Sequence, residues 1–363
     1  MKYFPQLLLT LFSVVLWVGC ADEPESIPDP VVFDDTPYNL EYGQLPIPDL
    51  PEDNPLTIEG VKLGRMLFYD PVLSEGNVQA CADCHRLPDG LSDTARFSVG
   101  VRGETGERQA MAIFNLGWHS NGFFWDGRAA QLRDQALLPI QDPLEMDESL
   151  EDVVAKLGEQ STYQDQFVRA FEDGEINPEN ISLALEQFML SVVSYNSKYD
   201  RFLRGEVSLT ESEERGRVLF ETEFNPGFPE LSGADCQHCH GGINFENDQY
   251  MNNGLDIEAD FDDIGFEKVT KSPTDRAKFK VPSLRNIAVT PPYMHDGRFQ
   301  TLEEVVDHYN TGIQESSTVD PAILMTKPSG LQLTEQDRTD LVNFLKTLTD
   351  PVFLENTAYS SPF

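Results

Sequence analysis

Positive charge is scarce in this chain. Its 363 residues hold 26 Lys and Arg against 62 Asp and Glu, a formal net charge of −36, which excludes nucleic acid because the phosphates would be repelled. An acidic surface suits a small basic protein partner and serves solubility equally well. Cysteine is scarce too, at five. Four of the five fall in two C-x-x-C pairs, and Cys20 stands apart. A zinc ribbon would need two such pairs roughly 15–20 residues apart, whereas Cys81 and Cys236 are separated by about 150. A thioredoxin-type pair would need a βαβ setting, and the flanking segments read as helix and turn.

A long apolar run is also missing. The apolar stretch in residues 1–20, MKYFPQLLLTLFSVVLWVGC, is too short and wrongly flanked for a membrane span and predicts a secretory signal. Gly19-Cys20, followed by the polar Ala21-Asp22-Glu23, resembles a bacterial lipoprotein box in which Cys20 becomes the lipidated first residue. Trp17 is an unusual occupant of that box, so cleavage by an ordinary signal peptidase is the alternative. Both routes export the chain, with the periplasm as the expected location and lipid on Cys20 as the expected membrane contact. Residues 21–55, rich in Pro, Asp and Glu, read as an acidic tether.

What is present is a repeat. Gly64-Arg65-Met66-Leu67-Phe68 precedes Cys81-Ala82-Asp83-Cys84-His85, and Gly216-Arg217-Val218-Leu219-Phe220 precedes Cys236-Gln237-His238-Cys239-His240. Two related modules follow from this. In C-x-x-C-H both thiols can form thioethers to haem vinyl groups while the adjacent His reaches the iron. Two covalent haem c groups are therefore expected, on Cys81, Cys84 and His85 and on Cys236, Cys239 and His240. His238 reads as a surface residue. Thr210-x-x-Glu213 and Thr334-x-x-Asp337 mark helix starts. Leu341, Phe344, Leu345 and Leu348 have the spacing of a terminal packing helix. Leu185, Phe188, Met189, Val192, Tyr195, Tyr199 and Phe202 predict one long amphipathic helix between the modules.

The motifs L-G-R-x-L-F-Y-D-P-x-L-S at 63–74, F-W-D-G-R-A at 124–129, L-R-N-I-A at 284–288 and T-P-P-Y-M-H-D-G-R at 290–298 closely resemble the bacterial dihaem cytochrome c peroxidases and their MauG-type relatives. The resemblance extends over residues 56–350. It implies a mainly α fold of two cytochrome c-like domains, a peroxidatic one at 56–204 and an electron-transfer one at 205–350, with 351–363 as a tail. It also implies that peroxide reacts at the N-terminal haem, with Trp125 between the haems and Gln135 and Glu145 on the distal side. A buried carboxyl there could take a proton from peroxide and return it to the leaving oxygen.

Two departures follow from that comparison. Typical members place a His ligand over the N-terminal haem, and here Val101 occupies the matching position in Ser98–Gly103, so an open haem that needs no reductive activation is expected; His119 is the nearest substitute ligand. On the C-terminal haem, the residue fourteen beyond His295 is Tyr309, as in MauG-like enzymes, where peroxidases have Met; a phenolate lowers the potential that a thioether raises. Met325 is the alternative axial ligand. The family binds Ca2+ between its domains, which places Thr290, Pro292 and Gln109 as candidates, Gln109 standing where the family has Asn. The MauG relay Trp before the second haem motif is replaced by Ala234, and Trp118 is a candidate for a different exit.

The expected activity is reduction of hydrogen peroxide with electrons from a small cytochrome c or cupredoxin. A MauG-like oxidation of residues in a partner protein is the second reading and a simple electron carrier the third. A homodimer is compatible with each.

Overall fold

Helix α1 (Ile58–Tyr69) starts where the Thr57 hydroxyl accepts a hydrogen bond from the Gly60 N–H, and it buries Leu63, Leu67 and Phe68. The structure is a computed structural model that describes Met1 and residues 30–363. The expected signal segment and Cys20 lie outside the described residues. Among those described, no helix is long and apolar enough to cross a membrane.

The first module continues through α2 (Cys81–Cys84), α3 (Leu132–Gln141), α4 (Leu150–Gly158), α5 (Ser161–Ala170) and α6 (Pro178–Ser191). The second comprises α7 (Lys198–Leu203), α8 (Glu211–Glu221), α9 (Glu267–Thr270), α10 (Leu302–Asp307), α11 (Pro321–Thr326) and α12 (Glu335–Lys346). Strands β1 (Tyr250–Met251) and β2 (Phe279–Lys280) form a two-stranded antiparallel ribbon, and α13 (Pro351–Leu354) ends the series. The predicted starts of α8 and α12 are capping boxes, Thr210 with Glu213 and Thr334 with Asp337. The chain is mainly helical, as expected.

The repeated G-R-x-L-F has a packing cause. A side chain on Gly64 would overlap the Ala184 carbonyl on α6, and one on Gly216 would overlap the Asp340 carbonyl on α12. Glycine therefore lets each helix pair approach backbone to backbone. The terminal phenylalanines then pack alike: Phe68 lies 5.2 Å from Phe188, and Phe220 lies 5.2 Å from Phe344. Each pair belongs to its own apolar core, one with Leu63, Leu67, Ile140 and Phe167, the other with Leu341, Leu345 and Leu348.

Three expectations need correction. The helix read from Leu185 to Phe202 is broken: α6 ends at Ser191, residues 192–197 have no helical structure, and α7 begins at Lys198. The apolar spacing runs on, but the Asp350 carboxylate accepts hydrogen bonds from the N–H groups of Tyr195 (3.0 Å) and Asn196 (2.8 Å) and from Ser194 Oγ (3.2 Å). The two N–H groups are thereby taken out of a helical ladder. The described part of the tether is irregular yet docked, for Asp34 N–H bonds to Arg169 O at 2.9 Å, Tyr38 N–H bonds to Leu56 O at 2.9 Å, and Leu45 is buried. Finally, the C-terminal tail is part of the first core. Phe353 packs 5.5 Å from Phe114, Tyr359 is buried in the same cluster, and Arg65 donates to the carbonyls of Thr357 and Ser360 at 2.7 Å.

Candidate active site

Both C-x-x-C-H segments open onto one cavity of about 690 Å3, whose wall includes all four thiols, His85 and His240. The thiols form no disulfide. Burial pushes Cys81, Cys236 and Cys239 up to about 12 and Cys84 up to about 11. Reactive redox pairs show the opposite shift, toward the thiolate. Each trailing histidine is held the same way: His85 Nδ1 meets the Leu91 carbonyl at 3.0 Å, and His240 Nδ1 meets the Phe245 carbonyl at 3.1 Å. A carbonyl only accepts, so Nδ1 carries the proton and Nε2 keeps its lone pair for a metal. Burial lowers both imidazoles, His240 to about 4, so they are neutral, as a ligand must be. Leu91 and Phe245 both adopt φ of +56°. This shared left-handed turn aims each carbonyl back at its histidine. The residues fit one covalently held haem per module.

Above the first pair of thiols the wall carries Gln135 and Glu145. Gln135 projects from α3, and the chain after α3 folds back through Met146 N–H to Pro139 O (3.2 Å) and Glu148 N–H to Ile140 O (2.8 Å), which sets Glu145 beneath the helix end. The Glu145 carboxyl has no hydrogen-bond partner among the described residues. Burial, helped by the charge of Asp142 and opposed by Arg128, raises its pKa. The loop 98–103 is tied to this segment: Val101 N–H donates to Glu145 O at 2.8 Å, and a side chain on Gly100 would overlap the Leu144 carbonyl. Val99 and Gly100 stand on the cavity wall, and Val101 does not.

Trp125 is 8% exposed and lies on the seam between the modules. Its Nε1 donates to Gln109 O at 2.8 Å, its carbonyl accepts from Lys280 N–H at 2.8 Å, and Gln109 N–H donates to His295 O at 2.8 Å. The turn that carries it is repeated. Phe124 (φ +67°) and Gly127 (+69°) correspond to Met294 (+75°) and Gly297 (+61°), and the bridges Phe123 to Ala129 and Tyr293 to Phe299 close both turns. His295 is thus the counterpart of Trp125, stacked 3.5 Å from Phe279. The signal was F-W-D-G-R against M-H-D-G-R, a second repeat that reading the motifs singly had missed.

At the second module Tyr309 lies on the cavity wall, in the π turn His308–Gly312, and Asn253 Nδ2 approaches its hydroxyl at 3.4 Å. Met325 is 62% exposed and off the wall. Burial raises the Tyr309 phenol well above its ordinary range, with Asn253 opposing, so a phenolate there needs the positive charge of a bound metal. Met294, not considered from sequence, also faces the cavity, its sulfur 3.2 Å from Asn253 Nδ2.

Residues 58–208 match the family model for di-haem cytochrome c peroxidase, and residues 214–349 match that for cytochrome c. The Escherichia coli cytochrome c peroxidase Ccp is 33% identical over 315 residues, 85% of this chain. The chain belongs to the di-haem cytochrome c peroxidase and MauG family. The MauG protein of Methylorubrum extorquens is 35% identical over 300 residues, 82% of this chain and 80% of its own. This family member spans 62% of the length of the E. coli relative. A solved MauG-like protein associated with microbial copper homeostasis is 33% identical, with a TM-score of 0.80 over 90% of this chain and 99% of its own. The dihaem peroxidase BthA of Burkholderia thailandensis, 22% identical with a TM-score of 0.69, shares the fold.

Among this family member's other candidates, His119 lies on the cavity wall. Its ring nitrogens lie 3.3 Å from Glu246 Oε2 and 3.4 Å from Asp248 Oδ1. Trp118 is off the cavity wall, donating to Pro46 O at 2.9 Å and lying edge-on to Tyr42. Ala234 is buried on the wall, and His238 is exposed. Gln109, Thr290 and Pro292 share the wall; Gln109 Nε2 is engaged by Ser92 Oγ at 2.8 Å, and its Oε1 accepts no hydrogen bond among the described residues.

Proposed function

We propose that this protein reduces hydrogen peroxide to water in the first module, with two electrons arriving through the second module from a small exported cytochrome c or cupredoxin and two protons taken from solvent. The observation that carries the reading is Glu145, a carboxyl with a raised pKa and no hydrogen-bond partner among the described residues, on the same cavity wall as Cys81, Cys84 and Gln135. The bound haem supplies the iron on which peroxide is split. Glu145 accepts a proton from the incoming peroxide and returns it to the departing oxygen, for which a pKa near the working pH is suited. Gln135 offers an amide to the peroxide oxygens without adding charge. Trp125, hydrogen-bonded to Gln109 and to the second module's strand, offers electrons a route across the seam. His85 and His240 would hold the iron of each haem through Nε2, their rings oriented by the carbonyls of Leu91 and Phe245. Rapid peroxide turnover with reduced cytochrome c tests the proposal, and a protein with both haems attached that fails to consume peroxide with any such donor refutes it.

A MauG-like oxidation of a partner protein is the second reading, favoured by one observation, the Tyr309 hydroxyl on the cavity wall where a peroxidase would have Met. Slow turnover of small donors and oxidation of an exported partner would distinguish it. We place the chain in the periplasm, held to the envelope by lipid on Cys20. Ca2+ belongs to the same proposal, held by Gln109 Oε1 and the carbonyls of Thr290 and Pro292; a homodimer is consistent with both readings.

A further inference from the structure

One arginine closes the seam between the modules without a part in the chemistry assigned to Glu145, Gln135 or Trp125. Arg108 grips Asp263 of the second module with two bonds, Nε to Oδ2 at 2.6 Å and Nη2 to Oδ1 at 3.0 Å, and its Nη1 lies 2.7 Å from Asp126 Oδ2 of the first. The Arg108, Asp263 and Asp126 side chains are 12%, 18% and 5% exposed. The planar fork of a guanidinium presents two parallel donors to one carboxylate and keeps a third nitrogen for another. An ammonium is a point charge and cannot span both.

Both ends of this clamp are tied to Trp125. Asp126 directly follows it in the chain, and Gln109, which directly follows Arg108, accepts the Trp125 indole N–H at 2.8 Å. Asp263 is anchored on the far side. Its Oδ1 accepts the Gly265 N–H at 3.0 Å, Ala277 N–H donates to Ile264 O at 3.0 Å, and Phe266 N–H donates to Lys278 O at 2.8 Å, which fixes the loop at the entry to β2. Strand β2 in turn gives its Lys280 N–H to the Trp125 carbonyl at 2.8 Å. Arg108 thus completes a ring of contacts around Trp125, and its guanidinium carbon lies 5.6 Å from the centre of the Phe279 ring, which is stacked on His295.

We infer that Arg108 is a positioning residue that holds Trp125 in the placement from which one electron passes from the donor-reduced C-terminal haem to the peroxide-oxidised N-terminal haem, an inference that rests on the Trp125 route proposed for electrons. The electron leaves one iron and arrives at the other. Arg108 itself gains and loses neither an electron nor a proton. Its removal leaves no carboxylate stripped of its cation, because Asp126 keeps Arg128, with Nη1 3.1 Å from Oδ1, and Asp263 keeps Lys268, with Nζ 3.1 Å from Oδ1. The penalty of an uncompensated buried charge is therefore avoided, and the variant should fold.

The test is double-mixing stopped flow on the full holoprotein, which meets hydrogen peroxide first and reduced cytochrome c second; at saturating donor the plateau rate reports transfer between the haems. Arg108→Ala should leave the initial peroxide reaction unchanged and lower the plateau by at least about tenfold, the scale on which small misplacements act. Asp263→Asn should lower it too, and the double variant should fall no further than the slower single one, since both act through one clamp. Arg108→Lys keeps the charge without the fork, so it should also be slow; it serves if the alanine variant fails to load both haems. The ultraviolet resonance Raman band of the indole N–H should shift in the Arg108 variants, a change that lost stability alone would not produce. A plateau unmoved by Trp125→Phe overturns the electron route and the inference with it. A plateau lowered by Trp125→Phe but kept by Arg108→Ala, a parent-like plateau in Arg108→Lys, or an unshifted band overturns the role of Arg108 alone.

Discussion

Replacing Glu145 by Gln removes the proposed proton-transferring group while leaving what positions it. The Glu145 carboxyl makes no hydrogen bond among the described residues, and the contact that ties this segment to the distal loop, Val101 N–H to Glu145 O, is a backbone bond that Gln retains. Haem content and helicity should therefore be unchanged. The chemical loss is that of one general acid–base group, about 10²- to 10⁴-fold in the rate of peroxide consumption, or about 2.7–5.4 kcal/mol of barrier. The pH dependence is a second, independent signature. Burial raises the Glu145 pKa, so the rate in the parent should rise with pH along a limb lying above the ordinary carboxylate range, and the variant should lack that limb. For stability the sign is opposite: a folded-state pKa above the unfolded value means that the folded protein binds the extra proton in that window. Stability is thus lost as pH rises through the folded pKa, and the variant should lose less of it. Stopped-flow mixing of the diferric protein with peroxide measures the rates. A variant rate within a factor of three of the parent, with the same pH profile, would refute the role given to Glu145.

The resting diferric protein, never pre-reduced, should show a high-spin haem signal and react with peroxide at once, because loop 98–103 brings no His or Met to the cavity; a fully low-spin spectrum indifferent to peroxide would contradict this. Tyr309→Phe should alter the spectrum of the C-terminal haem and Met325→Leu should not, since only Tyr309 faces the cavity; a spectrum unmoved by Tyr309→Phe would point to Met294. Gly64→Ala and Gly216→Ala should each destabilise by about 1–3 kcal/mol or more through overpacking against a neighbouring backbone carbonyl. Denaturant unfolding measures both, and wild-type stability in either would show that the helix pair can part without loss.

Features carried by short stretches of sequence were legible. C-x-x-C-H and the two capping boxes each act within about five residues, and the capping boxes have the local structure that their spacing implies. What was not legible acts across the chain. The break after Ser191 depends on Asp350, more than 150 residues away, which captures N–H groups that a helix would otherwise use; hydrophobic period alone has no term for such a competitor. The acidic, proline-rich segment before residue 56 looked like a spacer because its composition is that of disorder. Its docking depends on backbone partners on α5 and at Leu56. His119 looked like a lone histidine because Glu246 and Asp248 are more than 120 residues distant.

The two modules share nearly everything that positions a haem and differ in what they set against it. Gly64 and Gly216 permit the same helix crossing, Phe68 and Phe220 the same aromatic contact, and Leu91 and Phe245 the same carbonyl for the proximal imidazole. Even the D-G-R turns agree in their left-handed residues. On the cavity wall their side chains differ: Gln135 and a Glu145 carboxyl with no hydrogen-bond partner among the described residues in one module, Tyr309 with Asn253 in the other, Trp125 in one turn and His295 in its counterpart. Because the scaffold is common, the assignment of peroxide to the first module and of electron entry to the second rests on these few positions. Exchanging their chemistry should exchange the roles of the haems without disturbing the fold, and the separate Glu145 and Tyr309 variants are the first two steps of that exchange.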